Sequence, residues 1–182
     1  MAKLFESVLL IGIFPIIYFF LNYLFAQSYI VHEKGVVFIT GSSTGIGRHA
    51  VEYLANNTNF LVVAGVRKKE DVQAINNIKK NNLVAIIIDV SSRDSVKSAT
   101  AEIANIMKSK NLPLVGVVNN AGIGRHIPLE FHDLDDFKYL FDTNIFGAID
   151  VIQNTLPLLR KDQGRIIMMS SVSGKVGNKL KF

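Results

Sequence analysis

Three residues able to turn a chain sharply, Gly41, Gly45 and Gly47, stand in Thr40-Gly41-Ser42-Ser43-Thr44-Gly45-Ile46-Gly47, directly after the run Val36-Val37-Phe38-Ile39. Glycine tolerates positive φ and lets a backbone approach a ligand with no Cβ in the way. A helix that starts at such a loop presents free N–H groups and the positive end of its dipole, which suits a pyrophosphate. Ser43 and Ile46 share the loop and count with the three glycines as candidate cofactor-binding residues. A P-loop is excluded, because no Lys-Ser/Thr pair follows a glycine at the required spacing. A tight turn with no ligand uses the same residue types. The position after the first strand of a parallel pattern favours a bound dinucleotide.

A second feature closes the next apolar run, at Ala64-Gly65-Val66-Arg67-Lys68, with no carboxylate before Glu70. An acidic residue there would bond both ribose hydroxyls and repel a 2′-phosphate. Arg67 instead offers a fixed cation with a planar fork that matches phosphate. NADP(H) is therefore expected over NAD(H), the bland alternative being a solvated basic turn. His32, His49, His126 and His132 share no metal-ligand spacing, so no metal site is expected. His126 and His132, in the loop after the fourth apolar run, are within reach of a substrate cleft, though solvent exposure is the simpler reading.

These residues need a frame, and the sequence from Gly35 onward supplies one. Continuous β-branched runs predict buried strands at Val36–Thr40, Phe60–Ala64, Leu83–Ile88, Leu114–Val118 and Arg165–Ser170. Between them, helices are expected over Arg48 to about Asn57, Lys69–Lys80 and Arg93–Lys108. One long helix is expected from about Asp135 to Leu159, ending near Pro157. Strands alternating with helices imply right-handed crossovers and a parallel sheet covered on both faces. The fold class is α/β, a Rossmann-type doubly wound sheet of order 3-2-1-4-5, with a ligand crevice at the switch point beside strand 1.

The glycine loop resembles the T-G-x-x-x-G-x-G of the short-chain dehydrogenase/reductase family, and further matches follow in order. Asn119-Asn120-Ala121-Gly122 resembles the family's N-N-A-G, and Asp89-Val90 stands where the family's acidic residue meets adenine. Asn144, in Asp142-Thr143-Asn144-Ile145-Phe146-Gly147, is similar to its mid-helix asparagine. Ser170-Ser171-Val172-Ser173-Gly174 resembles S-S-x-x-G. The resemblance implies cofactor contacts at Asp89, Val90, Asn119, Ala121 and Gly122. It implies that Ser171 holds a substrate oxygen while Asn144 supports a proton relay. Thr40, Asn120 and Ser170 read as strand-end hydrogen-bonders and are left out of the chemistry. Family members move a hydride between nicotinamide and an alcohol or ketone carbon, with a Tyr-x-x-x-Lys pair handling the proton. No tyrosine here is followed four residues later by lysine: Tyr53 meets Asn57 and Tyr139 meets Thr143. The expectation is a fragment or truncated product of a longer enzyme, with the C-terminal strands missing. The edge strand Arg165–Ser170 would then be uncovered, and the chain alone inactive in turnover. A protein that only binds dinucleotide, or folds poorly, is the alternative.

Composition bounds the rest. The chain has 182 residues, 49% of them hydrophobic and 19% charged, with no cysteine. Disorder, a disulfide framework and a Cys-ligated zinc site are excluded. The net charge of +5 is scattered in twos and threes, so nucleic acid is not expected as a partner. Between Glu6 and His32 no residue is charged. A helix from Ser7 to Val31 would extend about 37 Å, enough to cross a hydrocarbon core of about 30 Å. Tyr18, Tyr23 and Tyr29 would lie toward its headgroup end. The rival reading is a cleaved signal peptide, with Ala26-Gln27-Ser28 as the cleavage site. The expected organisation is a membrane anchor and short linker over 1–34, then a dinucleotide-binding domain over 35–182. With the anchor go lipid contact and an endoplasmic-reticulum-like internal membrane. The anchor, together with the stretch from Pro157-Leu158-Leu159-Arg160 to Gly174, loosely resembles membrane-bound retinol and hydroxysteroid dehydrogenases. That likeness implies an apolar alcohol or ketone substrate. Orientation in the membrane, reaction direction and oligomeric state, homo-oligomer included, stay open.

Overall fold

Runs of Val and Ile with no polar break are stable as strands only where both faces are buried. The computed structural model describes residues 2–25, 29–125 and 127–172. Expectations that fall on Ala26-Gln27-Ser28, His126, Ser173 and Gly174 lie outside the described residues. The chain divides into two compact units, Met1–Val31 and His32–Phe182.

The first unit holds α1 (Ala2–Leu24), 23 residues with Pro15 inside. Here the expected anchor is corrected. Among the described residues no helix is long and apolar enough to cross a membrane. The helix stops at Leu24 instead of running to Val31, and Lys3 and Glu6 occupy its first turns. The charge-free turns that remain after Glu6 extend only about 27 Å, short of the about 30 Å that a hydrocarbon core requires. The single-pass anchor, the lipid contact through it and the internal-membrane location are withdrawn with it.

In the second unit five strands form one sheet of order β3-β2-β1-β4-β5 with every pairing parallel, as the sequence predicts. They are β1 (Gly35–Ile39), β2 (Phe60–Val66), β3 (Leu83–Ile87), β4 (Leu114–Asn119) and β5 (Arg165–Met168). Side chains alternate between the two faces of a strand, and both faces carry a core. On one, Val37, Ile39, Val62, Ala64 and Val66 pack with Val51 and Ala55 of α2 (Gly45–Asn57) and Ile75 of α3 (Lys69–Asn76). On the other, Val36, Phe38, Val63, Ile86 and Val117 pack with Val96 and Ile103 of α4 (Arg93–Lys110) and Val151 and Leu159 of α6 (Gly147–Lys161). Each Val, Ile, Leu or Phe among them, fully buried, contributes about 1.5–3 kcal/mol. Outer strand β5 leaves Ile167 and Met168 exposed.

Two helices differ from the sequence reading. The single helix expected over Asp135–Leu159 is broken into α5 (Leu134–Phe141), a π-helical turn (Asp142–Phe146) and α6. Gly147 marks the cause, because a Cβ there would lie 2.5 Å from the Val90 carbonyl oxygen. The helix backbone approaches the end of β3 so closely that one turn widens, with the Gly147 N–H donating to Asp142 O. Pro157 does not end α6. It sits inside the helix on an exposed face with Gln153, so the carbonyl that loses its i→i−4 partner lies on the solvent side. Helix α3 ends at Asn76 rather than Lys80. Ile78 and Lys79 donate only three residues back, and Lys79 adopts φ 56°.

Candidate functional site

All the candidate residues except Asn144 lie at or follow the carboxyl ends of parallel strands, and the strand order reverses at β1, between its neighbours β2 and β4. A crevice is expected at such a switch point, and one of about 330 Å³ lies there. Gly41, Ser43, Ile46, Arg67, Asp89, Val90, Ala121 and Gly122 all line it.

The glycines of the loop do three different things. Gly41 turns at φ 67°, and a Cβ on it would lie 2.7 Å from Ala121 Cα. Gly47 packs tightly, since its Cβ would meet Asn120 Nδ2 at 2.3 Å and Gly41 O at 2.4 Å. Gly45 also has positive φ, 60°, yet a Cβ there would meet nothing within 4 Å. That emptiness lies at the start of α2, whose N-cap Thr44 makes no side-chain capping bond. Uncapped first-turn amides beside an open approach are what an anion needs.

Strand-end hydrogen bonds hold the loop to β4, as read for Thr40 and Asn120. Thr40 is buried, and its Oγ1 accepts from Asn120 N at 3.1 Å and Ala121 N at 3.0 Å. Asn120 Nδ2 returns two bonds, to Thr40 O at 3.0 Å and Gly41 O at 3.1 Å. Ser42 is buried, donating from Oγ to Ile39 O at 2.7 Å, which leaves Ser43 as the loop serine that lines the crevice.

Toward β3, the Asp89 carboxylate accepts from Ser91 N at 3.0 Å and Ser91 Oγ at 2.6 Å, which fixes it at the rim. Arg67 is exposed at the end of β2 and donates from Nη1 to Tyr139 Oη of α5 at 2.9 Å. Asn119 is buried at the end of β4 and is not among the residues lining the crevice; its Nδ2 donates to Met168 Sδ. Asn144 lies in the π-turn beside Gly122. Its Oδ1 accepts from Ile123 N and its Nδ2 donates to Ile123 O, both at 2.8 Å. Ser171, just past β5, is exposed and is not among the residues lining the crevice. His132 is half-buried, its ring 5.5 Å from that of Phe137.

The short chain dehydrogenase family matches residues 35–181. The chain belongs to that family. It is 31% identical over 171 residues to retinol dehydrogenase 16 of Mus musculus, covering 93% of this chain and 52% of that one. It is 30% identical over 146 residues to the mitochondrial D-beta-hydroxybutyrate dehydrogenase of Mus musculus, covering 78% of this chain and 42% of that one. Among solved structures it is similar to NADPH-bound carbonyl reductase from chicken fatty liver. There the TM-score is 0.71 at 27% identity, over 79% of this chain and 60% of that one. The chain spans about half the length of the curated relatives it matches, between 42% and 52%.

Family motifs alone missed part of this short-chain dehydrogenase crevice. Tyr139 and Thr143 line it from one face of the broken helix, four residues apart. Thr143 is 6% exposed, and its buried Oγ1 has no hydrogen-bond partner among the described residues. A buried hydroxyl without a partner is an unmet donor and acceptor beside the crevice. Gly65 was legible in principle, as a lone glycine inside a β run. A Cβ there would lie 2.8 Å from Ile88 Cγ2 and 2.9 Å from Phe38 Cε2.

Proposed function

We propose that residues 35–182 form the NADP(H)-binding portion of a short-chain oxidoreductase that moves a hydride between nicotinamide and an apolar alcohol or ketone. One observation carries the reading: a glycine turn with open space at Gly45, set over uncapped helix amides at the switch point of the sheet. The crevice residues fit a dinucleotide. Gly41, Ser43, Gly45, Ile46 and Gly47 would hold the pyrophosphate, and Asp89, Val90 and Thr143 would border adenine. Ala121 and Gly122 would form the floor, with Asn119 supporting it from the end of β4. Arg67, with no carboxylate partner among the described residues, supports the choice of the 2′-phosphorylated cofactor. The NADPH bound to the chicken carbonyl reductase points the same way.

When bound, a nicotinamide would give or take the hydride. Ser171 would orient the substrate oxygen so that the reacting carbon faces the ring. Asn144 fixes the loop after β4 through both bonds to Ile123, which keeps the floor of the crevice in place for any proton relay. A matched proton donor is also required, since hydride arriving at a carbonyl leaves an alkoxide. These 182 residues hold no Tyr-x-x-x-Lys. By themselves they are therefore assigned binding without turnover. The apolar substrate rests on the likeness to retinol dehydrogenase 16.

Calorimetric titration with NADPH and NADH, followed by an assay for NADPH-linked reduction of apolar ketones, tests this. Saturable NADPH binding tighter than NADH, with no turnover, is the expected result. Absence of binding to either cofactor overturns it.

A further inference from the structure

The bond between Arg67 and Tyr139, both of which line the crevice, joins the end of β2 to α5 across 72 residues of sequence. Arg67 makes no ion pair among the described residues. The nearby carboxylates of α5 are engaged elsewhere, Asp135 with Lys138 at 2.9 Å and Asp136 with Arg125 at 3.5 Å. The guanidinium is thus aimed by a neutral phenol oxygen. A carboxylate in that place would cancel the charge and compete with an incoming phosphate. A phenol fixes direction and leaves the charge intact. An arginine side chain has considerable rotamer freedom to lose on binding, and an exposed one has no packing to restrain it. From this geometry we infer that Tyr139 is a positioning residue for the 2′-phosphate. It holds Arg67 over the adenosine end of the crevice before cofactor arrives, and so sets the preference for NADP(H).

The inference rests on the NADP(H) reading, and adenosine fragments separate the two. Adenosine 2′,5′-bisphosphate and AMP differ only in the 2′-phosphate and need neither nicotinamide nor turnover. Calorimetry on the full chain would compare wild type, Tyr139→Phe, Arg67→Ala and the double variant. Tyr139→Phe keeps the ring and removes only the hydroxyl of a half-exposed residue, so its melting temperature without ligand should match wild type.

The expected result is a roughly three- to tenfold loss in affinity for the bisphosphate from Tyr139→Phe, the size of one hydrogen bond's net effect. AMP binding stays unchanged. Adding Tyr139→Phe to Arg67→Ala then has no further effect, because the phenol acts only through the arginine. If wild type prefers the bisphosphate and Arg67→Ala abolishes the preference, but Tyr139→Phe leaves it intact, the role of Tyr139 is overturned and the NADP(H) reading stands. Equal losses for both fragments also overturn that role, since Tyr139 is then plain wall. If wild type binds both fragments equally and Arg67→Ala changes neither, the NADP(H) reading fails and takes the inference with it.

Discussion

Gly45 separates what the loop does for folding from what it does for a ligand. Alanine at 45 must adopt φ 60°, which costs a non-glycine residue about 1–2 kcal/mol. No steric penalty adds to this, as nothing lies within 4 Å of the new methyl. For a domain of this size about 1 kcal/mol corresponds to a melting-temperature shift of about 2–4 °C. Gly45→Ala is therefore expected to melt about 2–8 °C below wild type. NADPH at a hundredfold excess over its dissociation constant should stabilise wild type by about 2.7 kcal/mol. That shift of about 5–11 °C should nearly vanish in the variant, whose methyl fills the approach to the helix amides. Gly47→Ala is the contrast. Its Cβ runs into Asn120 Nδ2 and the Gly41 carbonyl, and overpacking of this kind costs about 1–3 kcal/mol or more before any ligand is added. Thermal unfolding of the three proteins with and without NADPH decides the matter. A full NADPH shift in Gly45→Ala would refute the reasoning, because the open space would then not be where the cofactor approaches.

Thr40→Val removes the acceptor of two part-buried N–H groups, from Asn120 and Ala121. It should cost about 2–4 kcal/mol in urea unfolding; a loss below half a kilocalorie would show the two amides are satisfied some other way. Thr143→Val exchanges an unpartnered buried hydroxyl for a methyl. The melting temperature without cofactor should rise by about 2–4 °C, for roughly 1 kcal/mol gained, while the NADPH shift shrinks. A fall in melting temperature would contradict it. Asn144→Ala breaks both bonds to Ile123 at an exposed site where water can substitute, so global stability should change by less than about 1 kcal/mol. The Ile123 amide should nevertheless exchange with solvent markedly faster by NMR, and an unchanged rate would count against the asparagine as the loop's fastener.

The sheet was readable because its strands are apolar on both faces, and Val36–Ile39 and Leu61–Ala64 have no helical reading of comparable quality. Order and direction followed from the alternation with helices. What the sequence hid is of two kinds. Some depends on one close approach, such as Gly147 against Val90, which splits an otherwise continuous amphipathic pattern into two helices. The rest depends on residues far apart in the chain, as with Arg67 and Tyr139, which no local periodicity brings together. Pro157 misled because the rule against helical proline concerns a lost bond, and the exposed face beside Gln153 makes that loss mild. At the N-terminus the absence of charge was taken for length. The helix ends at Leu24, although the charge-free stretch continues to Val31.

The contact between Gly41 and the backbone of Ala121 also limits how this crevice can change by descent. Most steric conflicts in a protein can be relieved by shrinking the neighbouring side chain, so a damaging substitution has a second-site suppressor within reach. Here the nearest atoms to a Cβ at 41 are Ala121 Cα and Ala121 N. Every amino acid has those atoms, and no replacement at position 121 removes them. The same holds at position 47, where one obstacle is the Gly41 carbonyl itself. A selection for intragenic revertants of Gly41→Ala should return true revertants at codon 41 and few compensating changes at 121.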